Sequence, residues 1–246
     1  MYHFFLPPGQ EAEDSFRISG PDVKHIGRVL RLGKGDRIII SNNQDRRYLC
    51  EIQEIGSDFV RVRKTEEPLP STEMNRRVIL FQGLPKSDKM DYIVEKSVEL
   101  GVAGIVPVEM ERSVVKLEAN KKETRRSRWQ AKAESAAKQS GRERIPEVEA
   151  VASFSEAVKM AANLDGILVP YESAEGMEQT RNLIASVPKG ACLGVFIGPE
   201  GGFSRKEIES LEEAGGRVIT LGPRILRTET AGAAFLAMCT LLWEES

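Results

Sequence analysis

The chain has 246 residues, of which 41% are hydrophobic and 29% are charged. This length and apolar content suffice for one large or two small packed domains, and they exclude both a disulfide-stapled mini-protein and a mostly disordered chain. The 35 basic and 37 acidic residues give a net charge of −2, so the total charge does not mark a nucleic-acid-binding protein. Local clusters of charge can still do so.

The cysteines and histidines point to a reducing compartment and to no structural metal. Cys50, Cys192 and Cys239 are scattered and form no CxxC pair, which is typical of a cytosolic protein. His3 and His25 are the only histidines, too few for a zinc site of conventional ligands. The longest apolar stretch, 231–243, is shorter than the ~20 residues of a membrane span. We therefore expect a cytoplasmic protein that binds neither metal nor membrane.

The first part of the chain, 1–71, is predicted to form a small β-barrel or sandwich. It contains three short β-branched segments separated by turn-forming residues, namely 35–40, 48–55 and 59–64. A helix is expected at 22–30, directly after Pro21. The segment 66–73 holds two prolines and no periodicity, so we interpret it as a linker and place the domain boundary at Ser71.

The second part, 72–246, is predicted to be an α/β domain in which helices cover a mainly parallel sheet. Its strand candidates are 77–84, 104–110, 165–171, 192–198 and 217–222. Helical patterns lie between them. The pairs Ser153 with Glu156 and Ser204 with Glu207 have the spacing of a capping box, which marks a helix start.

The segment 197–207, IGPEGGFSRKE, carries an apolar strand into a glycine-rich turn and then a capped helix. Glycine is used where the backbone must approach a ligand. The dinucleotide fingerprint GxGxxG and the phosphate-binding P-loop are both absent, so an uncharged group is the expected ligand. A tight strand-to-helix turn without any ligand is the alternative.

A second loop, 221–235, repeats this pattern with LGPRILRTETAGAAF. Arg224 and Arg227 flank an apolar pair, and Thr228 is predicted to cap the following helix; a plain surface loop with solvated arginines is the alternative. The helix is uncharged from 230 to 243, so it is expected to be buried all round. Its line of Phe235, Met238 and Leu242 fits a monomer core or a subunit interface equally well, and the sequence does not choose between them.

Two clusters of basic residues favour RNA or DNA as a partner. The segment 112–144 holds eleven basic and four acidic residues, and 17–47 holds eight basic and three acidic residues. In the first cluster a helical stripe is formed by Lys121, Arg125, Arg128 and Lys132. A solvated helix face is the alternative for this stripe.

The segment KQSGR, 138–142, ends that helix. Its amide, hydroxyl and guanidinium groups could read a base edge. Alternatively, Gly141 is a helix C-cap and its neighbours decorate the last turn; from the residues alone we prefer the cap.

These motifs together resemble the RsmE family of ribosomal RNA uridine N3-methyltransferases, a branch of the SPOUT class. The resemblance is carried by GPEGG at 198–202 and LGPRILRTETA at 221–231, and it extends to HIGRVLR at 25–31, EKSVELGV at 95–102 and KQSGR at 138–142. It implies an N-terminal PUA-like β-barrel for RNA, a C-terminal domain with a trefoil knot, and a homodimer. It also implies a site for S-adenosylmethionine, built mainly from backbone. The implied cofactor residues are Leu168, Val169, Pro170, Tyr171, Glu172, Ile197, Gly198, Pro199, Gly201, Leu221, Gly222, Leu226, Arg227, Thr228, Thr230 and Ala231.

The resemblance and the chemistry of uridine methylation together suggest catalytic residues. Arginine stays protonated and can stabilise the charge that builds on the uridine carbonyl oxygens, so Arg142 and Arg227 are placed near the base. Glu200 is a candidate base, although a carboxylate at a helix start is more simply explained by stabilising N–H groups. The predicted RNA-binding residues are Arg17, Lys24, His25, Arg28, Arg31, Lys121, Arg125, Arg128, Lys132, Gln139 and Ser140, with the last two positioning the base.

The function that the resemblance implies is transfer of a methyl group to N3 of a uridine in 16S ribosomal RNA, on the assembled small subunit. A non-catalytic RNA-binding assembly factor is the alternative from another class, and the two glycine-rich loops speak against it. A dinucleotide enzyme is disfavoured by the missing fingerprint.

Overall fold

A computed structural model of the chain describes residues 1–6, 14–44, 46–172 and 176–244. The chain divides into two compact units. The first comprises 1–73 together with 137–145, and the second comprises 74–136 together with 146–246. The division falls close to the predicted boundary at Ser71, but the first unit also takes in a segment from far along the chain.

The first unit contains a five-stranded sheet with the order β1-β3-β4-β5-β2. Its strands are β1 (His3–Phe5), β2 (Ser15–Ser19), β3 (Arg37–Ser41), β4 (Arg47–Ile55) and β5 (Phe59–Lys64). Neighbours are antiparallel except β1 and β3, which are parallel. Alternate residues such as Phe16, Ile18, Ile38 and Ile40 are buried in one core, as half-buried strands require. The three predicted strands are confirmed, and β1 and β2 are additional.

The single helix predicted at 22–30 is wrong in form. A short helix α1 (Pro21–Lys24) runs directly into one π-helical turn, His25–Val29, closed by the N–H of Leu30 donating to the carbonyl of His25 at 2.9 Å. Pro21 begins the helix because its fixed φ suits the first position. The wider turn leaves the side chains of Lys24, His25 and Arg28 exposed.

The second unit is built on a parallel seven-stranded sheet. The order is β12-β10-β11-β6-β7-β8, with β9 also pairing β7. Its strands are β6 (Arg77–Gly83), β7 (Gly104–Glu109), β8 (Glu147–Val148), β9 (Ala152–Ser153), β10 (Gly166–Pro170), β11 (Cys192–Ile197) and β12 (Gly216–Ile219). Its helices are α2 (Lys89–Glu99), α3 (Ala119–Ser140), α4 (Phe154–Ala161), α5 (Met177–Ala185), α6 (Arg205–Glu213) and α7 (Thr228–Trp243), of which the last turn of α3 belongs to the first unit. The five predicted strands and the α/β class are confirmed.

The predicted helix starts have two outcomes. Ser153 and Ser204 form capping boxes with Glu156 and Glu207, as predicted. Thr228 does not cap α7: the helix begins at Thr228 itself, and no side chain caps its first turn. The hydroxyl of Thr228 instead donates to the carbonyl of Gly198 at 2.7 Å, because the loop after β11 offers it an acceptor.

Within the single chain, helix α7 is buried on one face only, so a monomer core alone does not cover it; burial of the other face in a subunit interface stays a prediction. Phe235, Leu236 and Cys239 are fully buried, whereas Leu241 is 78% exposed. Met238 and Leu242 are half-buried, so the line that they form with Phe235 runs from the core to the surface.

In the described part of the chain, no helix is long and apolar enough to cross a membrane. Among the same residues, no three histidine, cysteine or acidic side chains are grouped so that they could hold a metal ion. The three cysteines are buried and unpaired with one another.

Candidate cofactor pocket and basic surfaces

A cleft of about 800 Å³ lies in the second unit, at the carboxyl ends of β10, β11 and β12. Ligands bind at this edge of open parallel sheets because the loops there project backbone groups over the strand ends. The cleft brings together thirteen residues of the predicted cofactor set: Pro170, Tyr171, Glu172, Ile197, Gly198, Pro199, Gly201, Leu221, Gly222, Leu226, Arg227, Thr228 and Ala231.

Three residues of the predicted cofactor set lie outside the lining. Leu168 and Val169 are buried in β10, where Val169 packs into the core of the unit. Thr230 is exposed on α7. Conversely, the sequence did not single out Lys89, Arg112 or Phe203, which line the cleft. Lys89 and Arg112 follow β6 and β7, and only the strand order reveals that β6 pairs with β11 and that β7 is the next strand along the sheet.

A hydrogen-bonded chain joins the two glycine-rich loops beneath the cleft. Gln82 Nε2 donates to Thr228 Oγ1 at 2.9 Å, and Thr228 Oγ1 donates to the carbonyl of Gly198. Gln82 is fully buried in β6. Sequence reasoning missed this residue; the signal was an amide in an otherwise apolar strand, because a buried amide must find hydrogen-bonding partners.

Two positions in this region must be glycine because neighbouring segments of the chain pack too closely there for a Cβ atom. A Cβ on Gly83 would lie 2.7 Å from Pro199 Cδ, and a Cβ on Gly201 would lie 2.9 Å from Arg112 Cβ. The first residues of the 198–203 loop are therefore packed against the ends of β6 and β7. This packing fixes the course of the backbone that faces the cleft.

Arg227 stands at the mouth of the cleft with an 82% exposed side chain. It pairs loosely with Glu229, at 3.9 Å between Nη1 and Oε1. Ile225, two residues before it, is 84% exposed. The loop therefore presents a cation and an apolar side chain outward, where a substrate can meet them.

Glu200, also at the mouth, is tied to the protein. Both of its carboxylate oxygens accept from the N–H of Lys86, at 3.1 and 3.2 Å, and Lys89 Nζ lies 3.0 Å from Oε1. Burial opposes ionisation, but Lys89 and the backbone N–H groups outweigh it and hold the pKa of Glu200 below its usual range. A carboxylate so stabilised is a weak proton acceptor.

The segment 137–145 lies within the first unit. Gly141 has φ +72° and follows the last residue of α3, while the N–H of Arg142 donates to the carbonyl of Ala137 at 3.0 Å. This is the bonding pattern of a glycine C-cap, which confirms the preferred interpretation of Gly141.

Arg142 is buried, with 5% of its side chain exposed, and it forms an ion pair with Glu73. Its Nε also donates to Glu73 Oε1 at 3.1 Å, and the same oxygen accepts from the N–H of Glu143 at 3.0 Å. Arg47 Nη1 donates to the carbonyl of Gly141 at 2.9 Å. Buried charges thus fasten this segment to the linker and to β4. Gln139 is exposed and Ser140 half-buried.

The basic stripe on α3 is matched by acidic residues. Arg125 pairs with Asp88 at 3.4 Å, Arg128 with Asp91 at 2.5 Å and Lys132 with Glu95 at 3.3 Å. These three acids lie at the start of α2 and along it, so the two helices are joined by a row of ion pairs. Lys121 pairs at 2.9 Å with Glu118, the residue just before α3, and remains 64% exposed.

The basic residues of the first unit are more open. Lys24, Arg28 and Arg31 are exposed, and no acidic group in the described ranges pairs with them. Arg17 is 59% exposed and 3.7 Å from Asp58. Among the predicted RNA-binding cations in the described ranges, Lys24, Arg28 and Arg31 are therefore unpaired with acidic groups, whereas Arg17 and the stripe on α3 are paired.

Comparison with known proteins agrees with this geometry. Residues 72–240 match the family described as RNA methyltransferase domain, and 18–65 match the RNA methyltransferase PUA domain. A ribosomal RNA small subunit methyltransferase E of Bacillus subtilis is 38% identical over 224 residues, covering 90% of this chain and 88% of the relative. One of Mycobacterium bovis is 29% identical over 238 residues, covering 93% and 88%. A crystal structure of ribosomal RNA small subunit methyltransferase E from Neisseria gonorrhoeae bound to S-adenosyl methionine has a TM-score of 0.84 and 30% identity, covering 99% of this chain and 98% of that one.

The sheet order, the cleft at the strand ends and the PUA match define an α/β RNA methyltransferase with an N-terminal PUA domain. More narrowly, the chain belongs to the ribosomal RNA small subunit methyltransferase E family.

Proposed function

We propose that this chain transfers the methyl group of S-adenosylmethionine to N3 of a uridine in 16S ribosomal RNA, with the small ribosomal subunit as substrate. The observation that carries the proposal is the cleft, which is lined by the two glycine-rich loops and has an exposed arginine at its mouth. The named relatives act on small-subunit ribosomal RNA, and one of them was crystallised with S-adenosyl methionine.

The residues of the cleft fit this cofactor. Gly198, Pro199 and Gly201 offer backbone groups to polar edges, while Ile197, Leu221 and Leu226 supply apolar surface for a flat ring. Such sites are mostly apolar with a few placed polar groups. When bound, the cofactor supplies an electrophilic methyl group on a positively charged sulfur.

Arg227 is the residue that we assign to the reaction itself. Uridine loses its N3 proton to water, and negative charge builds on the carbonyl oxygens beside N3 until the new C–N bond, formed as the methyl leaves sulfur, neutralises it. A guanidinium that is exposed, always protonated and rich in donors stabilises this charge. Glu200 is held by Lys89 and by backbone N–H groups, so we do not assign it the proton.

RNA binding is proposed for the first unit and for α3. Lys24, Arg28 and Arg31 favour phosphate contact most directly, because no acidic partner among the described residues must be displaced. The stripe on α3 and the pair Gln139 and Ser140 remain candidates. Arg142 remains a candidate for the base site, although its ion pair with Glu73 would have to open first.

The trefoil knot, the homodimer and the cytoplasmic location belong to the same proposal. The dimer is supported by the partly exposed apolar face of α7, on which Leu241 is 78% exposed. The location is supported by the ribosomal substrate of the relatives.

The test is transfer of labelled methyl to 30S subunits, 50S subunits and free 16S RNA, followed by mapping of the modified base. We expect label in 30S subunits at N3 of a uridine. Gly198→Val serves as the matched inactive variant: a Cβ there would lie 3.2 Å from the backbone of Gly202, so valine should distort the loop and abolish cofactor binding measured by calorimetry. A wild-type chain that binds RNA and the 30S subunit but transfers no methyl would support an assembly factor instead.

A further inference from the structure

Lys89, the first residue of α2, is a cation that joins the two loops of the cleft. Its Nζ lies 3.0 Å from Glu200 Oε1, in the loop after β11, and 3.2 Å from Glu229 Oε2, in the first turn of α7. These two carboxylates raise the pKa of Lys89 above its usual range. Lys89 is therefore charged whenever the protein is folded at neutral pH.

The two carboxylates depend on Lys89 to different degrees. Glu200 also accepts from the N–H of Lys86, so it keeps a partner when Lys89 is removed. Glu229 pairs with Lys89 at 3.2 Å and with Arg227 at 3.9 Å. Its position in the first turn of α7 keeps it ionised, because the helix N-terminus favours negative charge.

Lys89 and Arg227 lie against different oxygens of the same carboxylate, Lys89 at Oε2 and Arg227 at Oε1, so Lys89 holds one of the two oxygens that a two-bond pair with Arg227 would need. In the structure Lys89 is the closer partner, and the Arg227 side chain remains 82% exposed at the mouth of the cleft. Arginine can form two parallel hydrogen bonds with a carboxylate. Without Lys89, Arg227 would be the remaining cation paired with Glu229 among the described residues, and a tight pair would draw the guanidinium away from the substrate.

We propose that Lys89 is a positioning residue that occupies Glu229 and thereby leaves Arg227 available to the uridine. The inference rests on the proposed function, because it gives Arg227 its role in methyl transfer. It assigns no chemical step to Lys89.

The experiment compares single-turnover methyl transfer to 30S subunits, at saturating cofactor and enzyme, for Lys89→Gln, Glu229→Gln and the double variant. Cofactor affinity is measured in parallel by calorimetry. Lys96→Gln is the matched control: Lys96 lies on the same helix, is 31% exposed as Lys89 is, and pairs with Glu95 and Glu99 away from the cleft.

We expect Lys89→Gln to slow transfer by roughly tenfold to a hundredfold, less than the roughly 100-fold to 1000-fold loss that follows complete removal of a charge-stabilising donor. Cofactor affinity should stay within a few-fold of wild type. The double variant should regain most of the rate, because Arg227 no longer has a carboxylate to pair with. A side chain that merely supported the fold would not be rescued by losing a second contact.

Three results would overturn the inference: Lys89→Gln at the wild-type rate, a double variant as slow as Lys89→Gln, or a large loss in Glu229→Gln alone. The Glu229→Gln variant still tests the inference if Lys89→Gln fails to fold. If the wild-type chain itself transfers no methyl, the proposed function and this inference fall together; normal wild-type transfer separates the two.

Discussion

Arg227 and Arg142 are both arginines at the edge of a helix, and both were predicted from sequence to stabilise the same anion, yet their surroundings are opposite. The side chain of Arg227 is 82% exposed with a loose pair at 3.9 Å, whereas that of Arg142 is 5% exposed and bonded to Glu73. The available partner, rather than the residue type, decides what each can do. An exposed guanidinium can meet a substrate, and a buried one holds two segments together.

The largest expected effect is that of Arg227→Ala. It removes the proposed charge-stabilising donor, so turnover should fall by roughly 100-fold to 1000-fold while cofactor affinity stays near wild type. Single-turnover transfer and calorimetry measure the two quantities. Arg224→Ala, in the same exposed loop, is the control and should lose much less. Equal losses in the two variants would mean that only the charge of the loop matters.

The next effect concerns Arg142 and Glu73. Removing either partner leaves a buried charge unpaired, so Arg142→Ala and Glu73→Ala should each lower the free energy of unfolding by about 3 kcal/mol. The double variant should lose less than the sum. Urea denaturation of the four proteins gives the cycle. Should Arg142→Ala abolish methyl transfer at unchanged stability while Glu73→Ala remains active, the base-contact hypothesis would be correct and the comparison above would fail.

The next prediction concerns the first unit, where a buried histidine should make the free energy of unfolding depend on pH. Burial, with help from Arg47, lowers the pKa of His3 to about 4, so His3 is neutral when folded at neutral pH. The unfolded chain binds this proton near pH 6.5, so His3 contributes stability above that pH that is lost as the pH falls toward 4. We expect the free energy of unfolding to fall by roughly 1.4 kcal/mol per pH unit in this window. His3→Gln should flatten the slope; an unchanged slope would contradict the assignment.

The smallest expected effect is on the salt dependence of RNA binding, and it compares the exposed cations of the first unit with the stripe on α3. Replacing Lys24, Arg28 and Arg31 by glutamate should lower the slope of log affinity for RNA against log salt by roughly 0.7 to 0.9 per lost phosphate contact. The same change at Arg125, Arg128 and Lys132 should alter the slope less, because their charges are already paired with α2. Titrations at several salt concentrations provide the measurement. A larger change from the α3 variants would reverse this ranking.

Strands and capping boxes were predictable because their signals are local. The apolar runs at 77–84 and 192–198 became β6 and β11, and Ser204 with Glu207 capped α6. The two glycine-rich loops that line the cleft could be located for the same reason. Thr228 had the residue type of a cap, but the acceptor that redirects it, the carbonyl of Gly198, is thirty residues away in sequence.

The sequence could not predict which side chains, distant along the chain, contact one another in the folded protein. The α3 stripe looks like a free basic face until α2 brings Asp88, Asp91 and Glu95 against it. No sequence motif marked Lys89, because its contacts are two carboxylates that lie far away along the chain. Gln82 was hidden in the same way beneath the cleft. Each of these contacts depends on strand order, which the periodicity of a single chain does not encode.

The buried cysteines equip each unit with a reporter of its own opening. Burial raises the pKa of Cys50 in the first unit to about 12, and it also raises the pKa of Cys239 in the second. The thiolate is the reactive form, so neither thiol should react with alkylating reagents until its surroundings unfold. Timed alkylation followed by mass spectrometry of the peptides would therefore reveal which half of the molecule loosens first, without adding any label or changing any residue.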